Sequence, residues 1–169
     1  MTLFHPKLKE AEFFIELFVA TQERGDSLTR NANLLEEASY IFSAIMNAFY
    51  SALDQWRTTT KNEVAYKEFV AKFPEIYSHS HHGGWRSTTV HVQHLPIAHS
   101  GYIPPKGGQV DLVFSHPPKL SDREKRKGSV DLVFSPRYYV EYRGEMKEVV
   151  AFSRKHLGEL SRLLSQTTR

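Results

Sequence analysis

Apolar residues recur every three or four positions through most of the first half of this chain. From Pro6 to Arg24, Leu8, Ala11, Phe14, Leu17 and Phe18 repeat at the spacing of one helix face. Pro6 suits a first turn, and Gly25-Asp26 is a stop signal. The strongest pattern runs from Asn33 to Trp56, where Leu34, Ala38, Ile41, Phe42, Ile45, Met46, Phe49 and Leu53 mark a wide apolar stripe. Asn33, with Glu36 three residues on, has the makings of a capping box. Ala38, Ser43, Ala44, Ala48, Ser51 and Ala52 are interleaved, and residues this small let a second helix approach closely. A shorter helix is expected from Asn62 to Phe73, with Pro74 ending it or sitting just beyond. The last segment, Glu145 to Gln166, is again helical in period, with Val149, Phe152, His156, Leu157, Leu160, Leu163 and Leu164. His156 lies on or beside that stripe and reads as a packed structural histidine.

The period changes between these helices. "VDLVFS" stands at Val110 to Ser115 and again, unchanged, at Val130 to Ser135, each copy alternating as a half-buried strand does. The charged run KLSDREKRKG, Lys119 to Gly128, separates them and reads as a solvated loop. "RYYVEY" continues the alternation to Tyr142, and Arg143-Gly144 turns. The pattern predicts a single domain over 1–169, mainly α: an antiparallel bundle of four or five helices with a small β-hairpin near 110–142. Gly83-Gly84 breaks any preceding helix. "TTVHV" favours strand by propensity, yet a short helix from about Trp85 is allowed, because tertiary contacts override propensity. Pro96, Pro104-Pro105 and Gly107-Gly108 make 95–109 a loop.

Composition narrows the picture. At 169 residues, 40% hydrophobic and 12% aromatic, the chain supports a real core and is not of disordered composition. It has no cysteine, so disulfide and thiolate chemistry are excluded and a reducing compartment is the simpler reading. The start, MTLFHPKLKEAEFF, lacks the uninterrupted apolar run of a signal peptide, and no segment approaches a membrane span. A cytoplasmic location, away from membranes, is therefore expected. The net charge of +3 permits a nucleic-acid partner without demanding one.

Candidate chemistry gathers in one place. The 35 residues from Ile76 to Val110 contain no Asp or Glu, but hold six histidines and Arg86. Within them, GGWRSTTVHVQH sets His91 five positions after Arg86. Spacing alone is weak evidence, since about two Arg–His pairs five to seven apart are expected by chance at this composition. Three readings stay open on the residues. Arg86 and His91 form a phosphate-handling site; or Arg86 bonds loop carbonyls and His91 caps a helix; or His79, His81, His82, His91 and His94 supply a three-histidine zinc site, though without a nearby carboxylate second shell. Gly107-Gly108 lacks the Lys-Ser/Thr and helix of a nucleotide loop.

Arg86, a polar Ser87 and then His91, placed after long helices and before a terminal one, resemble the HEPN superfamily of small helical bundles. Its motif is an Arg, four to six residues, then a His; the residue after the Arg is most often Asn, His or Asp, where Ser87 stands here. The resemblance implies metal-independent RNA cleavage, with no cofactor, by Arg86, Ser87 and His91 in a site shared across a homodimer. It also implies an antitoxin as partner, since active members are often toxins. The alternative it allows is a non-catalytic dimeric module for interaction or sensing.

Overall fold

The computed structural model describes residues 6–78, 83–91, 95, 97 and 137–166. Six helices and one two-stranded sheet lie in this part: α1 Pro6–Arg24, α2 Leu34–Thr60, α3 Glu63–Lys72, α4 Pro74–Tyr77, α5 Trp85–His91, β1 Tyr139–Tyr142, β2 Glu145–Glu148 and α6 Val149–Ser165. The protein is a mainly helical bundle with a small antiparallel hairpin, as the periodicity predicts. Two of the six helices, α4 and α5, have only four and seven residues.

The long helices begin where their side chains can satisfy free backbone N–H groups. Asn33 accepts from the amides of Leu35 and Glu36, and Glu36 accepts from the Asn33 amide, so the capping box is complete. Asn62 caps α3 through the Ala65 amide at 3.1 Å. Between α1 and α2, the buried carboxylate of Glu37 accepts from the amides of Leu28 and Thr29 at 2.5 Å each. Burial alone would raise its pKa, but those N–H donors and the Arg24 charge outweigh burial and lower it. A buried acid there ties down the connection between the two helices.

Helix α2 is the spine. It packs against α1, α3, α5 and α6, and α6 also packs against α1. Its core positions include Phe42, Ile45, Met46, Phe49 and Leu53, all at or below 1% exposure. Of its small residues, Ala38, Ser43, Ala48 and Ala52 are buried within the chain itself, so their close approach serves the bundle. From α6, Val149, Ser153, His156 and Leu160 face inward, one heptad-like stripe.

The small hairpin among the described residues spans 139–148. It shares Tyr139–Tyr142 with the one expected near 110–142, whose two VDLVFS copies lie outside the described residues. The segment Glu145–Glu148, expected as the first turn of the last helix, pairs with β1 in the register Tyr139↔Glu148 and Tyr142↔Glu145. The turn between them explains this. Arg143 and Gly144 both have positive φ, 52° and 81°, the backbone of a tight two-residue hairpin turn. Glu148 then caps α6, accepting from the amides of Val150 and Ala151, so the helix starts at Val149. Pro74 sits just beyond α3, as expected, and opens α4, since its missing N–H costs nothing in a first turn.

Candidate functional site

Helix α5 carries the Arg86–His91 motif, and it exists because of what surrounds it. Trp85 is 2% exposed. Its ring meets Phe42 of α2 at 5.5 Å, Phe152 of α6 at 4.9 Å and Tyr142 of β1 at 5.9 Å between centroids. Its indole N–H donates to the Glu141 carbonyl at 2.9 Å. One aromatic anchor thus holds α5 against three elements. That burial outweighs the weak helix propensity of the two threonines and Val90.

Gly84 makes the approach possible. A Cβ there would lie 2.3 Å from the Ile76 carbonyl oxygen, so only glycine fits. The Gly84 amide donates to the Ser78 carbonyl at 2.5 Å, and its own carbonyl accepts the Thr88 amide at 3.1 Å as α5 starts. Ser87 is half-buried above Gly83 and lies 3.2 Å from where a Cβ at that position would sit.

Arg86 comes directly after the anchor. Its guanidinium carbon lies 3.8 Å from the centroid of the Tyr50 ring on α2. Its Nε is buried and has no hydrogen-bond partner among the described residues. None of the ion pairs formed among the described residues involves Arg86. A second arginine gives the contrast. Arg57, one heptad after Tyr50 on the same helix, stacks on Tyr66 at 4.5 Å, but its Nε also donates to Glu63 at 2.7 Å. Arg57 is neutralised by a carboxylate. Arg86 is held by an aromatic face, a contact worth about 0.5–2 kcal/mol depending on how dry it is, with no carboxylate partner among the described residues.

His91 closes α5. In a regular helix, positions five apart differ by about 140° and about 7.5 Å along the axis. Positions 86 and 91 therefore share α5, a little under one and a half turns apart. Ser87 and Arg86 are neighbours on the first turn. Tyr50 is the residue that sequence reasoning missed. Its signal was an aromatic at the edge of the α2 stripe, next to Phe49 but outside the main run of apolar positions. His79, His81, His82 and His94, the other ligands of the zinc reading, lie outside the described residues; among the described residues no group of three or more His, Asp or Glu is placed to hold a metal.

His156 lies elsewhere, fully buried among Phe49, Phe69, Phe73 and Tyr77, with its Nε2 3.0 Å from the Tyr77 hydroxyl. Burial pushes its pKa down to about 3, so the ring is neutral in the folded protein. It is a core residue, as its place on the α6 stripe suggests.

No helix among the described residues is long and apolar enough to cross a membrane. The chain matches no family model, no curated protein and no solved structure.

Proposed function

We propose that this chain is a metal-independent endoribonuclease of the HEPN type, acting as a homodimer and restrained by an antitoxin protein. The observation that carries the reading is Arg86: a cation with no carboxylate partner among the described residues, fixed on Tyr50, at the head of the short helix that His91 ends. An arginine held by an aromatic face, in a stretch of 35 residues free of acids, is suited to a phosphate oxygen and repels no RNA backbone.

The chemistry follows from the residue types. The RNA 2′-hydroxyl attacks the adjacent phosphorus, and neutral His91 accepts its proton. Arg86 holds the phosphorane oxygens with its planar fork. Ser87 donates a hydrogen bond to a phosphate oxygen. The bond from phosphorus to the 5′-oxygen breaks, and that oxygen takes a proton from the His91 of a second protomer. The products are a 2′,3′-cyclic phosphate and a 5′-hydroxyl.

Substitutions in a cleavage assay on single-stranded RNA test this. His91→Ala removes the base and is expected to cost at least about 10²-fold. Arg86→Ala is expected to cost a comparable factor. Arg86→Lys restores little, because an ammonium cannot form the bidentate contact. If His91→Ala cuts as well as wild type, the ribonuclease reading is wrong, and a non-catalytic dimeric interaction module replaces it.

A further inference from the structure

We infer that Tyr50 is the positioning residue that presents the Arg86 guanidinium to an anionic ligand; the claim rests on the ribonuclease reading for the identity of that ligand, single-stranded RNA. Arg86 has three rotatable carbons between backbone and guanidinium, and no ion pair among the described residues fixes its head group. Such a group gives little transition-state stabilisation unless something holds it. The carboxylate that commonly does this would also neutralise it, as Glu63 does for Arg57. The Tyr50 ring does the holding without opposing charge: it lies 3.8 Å beneath the guanidinium carbon.

Tyr50 is itself well fixed. It follows Phe49, which is 0% exposed, on the central helix, and its ring packs against the core cluster. The platform and the arginine come from different elements, α2 and α5, and Trp85 pins the second to the first through Phe42. A ring stacked on one face of the guanidinium takes none of its N–H donors, which are the groups that bond two phosphate oxygens at once. The Nε is buried and has no acceptor among the described residues.

The test compares Tyr50→Phe, which keeps the aromatic face, with Tyr50→Leu, which keeps apolar bulk and removes it. Circular dichroism first confirms that both variants are folded. Three readouts follow: RNA cleavage kinetics, binding of an uncleavable 2′-O-methyl oligonucleotide, and the nitrogen–proton resonance of the Arg86 Nε. Tyr50→Phe is expected to stay within about twofold of wild type. Tyr50→Leu is expected to lower kcat about tenfold, with the cleavage pH profile unmoved, and to abolish the ring-current shift of the Nε proton. In an Arg86→Ala background, Tyr50→Leu should cost nothing more, since residues that act as one unit are not additive. An equal loss in both backgrounds means that Tyr50 acts independently of Arg86 and overturns the inference. So does a Tyr50→Leu protein with wild-type kcat and an unchanged Nε resonance, while leaving the ribonuclease reading intact. If wild type binds RNA but cuts none, the ribonuclease reading falls; Tyr50 is then judged by whether Tyr50→Leu weakens binding as much as Arg86→Ala does. If wild type neither cuts nor binds RNA, both fall.

Discussion

His156 is a titratable group in a place that accepts only its neutral form. Phe49 from α2, Phe69 from α3, Phe73 at its end and Tyr77 from α4 surround it, and none of these offers an acid to an imidazolium. Its folded pKa of about 3 lies below the ordinary 6.5, so the unfolded chain takes up a proton first as pH falls. Stability from this residue is complete above about pH 6.5 and declines from there toward pH 3, by up to about 1.4 kcal/mol per pH unit. His156→Gln is expected to be less stable than wild type at pH 7.5, and urea titrations at pH 7.5, 6 and 5 should show the gap narrowing. A gap that stays constant over that range would mean the imidazole is not held neutral. Residues differed in how much of this was readable. His156 stood on an apolar helical stripe, so its burial followed from periodicity. Tyr50 gave no comparable sign, because a stacking partner supplied by another element leaves no mark in local spacing.

Among the elements, α5 shows the limit of local reasoning most clearly. Its threonines and valine favour strand, and the two glycines before it favour a break, yet Trp85–His91 is helical. The deciding contacts come from Phe42, Tyr142 and Phe152, which are 43, 57 and 67 residues away in the chain. By contrast, α1 occupies the range its apolar period predicts, and α2 begins at the predicted cap, because those signals are local. Strand β2 escapes local reading for a related reason: Arg143-Gly144 reads as a turn, but EMKE after it reads by composition as the start of a helix. Two glycines give an element-level test with opposite signs. Gly84→Ala drives a Cβ into the Ile76 carbonyl and is expected to cost about 1–3 kcal/mol or more as α4 and α5 move apart. Gly158→Ala, exposed in the middle of α6 with nothing within 4 Å, is expected to stabilise by about 0.5–1 kcal/mol. Thermal unfolding of the two variants reads both directions; a neutral Gly84→Ala would contradict the close approach that sets α5.

At the scale of the whole molecule, the proposed chemistry needs two chains, and α2 offers a surface for the second. Its inner faces are occupied by α1, α5 and α6, while Tyr40, Ala44, Asn47, Ser51 and Asp54 follow one another at heptad-like spacing on its exposed or half-buried side. Light scattering at micromolar concentration is expected to give twice the chain mass, and Ser51→Arg is expected to shift it toward the monomer and lower RNA cleavage with it. A wild-type monomer would remove the composite site. The proposed chemistry, in which Arg86 and His91 break RNA through its own 2′-hydroxyl, is tested most directly by the ends of the products. Purified protein is incubated with a single-stranded RNA in EDTA, and the fragments are analysed by mass. The account predicts cleavage, with 2′,3′-cyclic phosphate and 5′-hydroxyl ends, and none on the same sequence as DNA. Cleavage that EDTA abolishes, fragments with 5′-phosphate ends, or an intact RNA would contradict it.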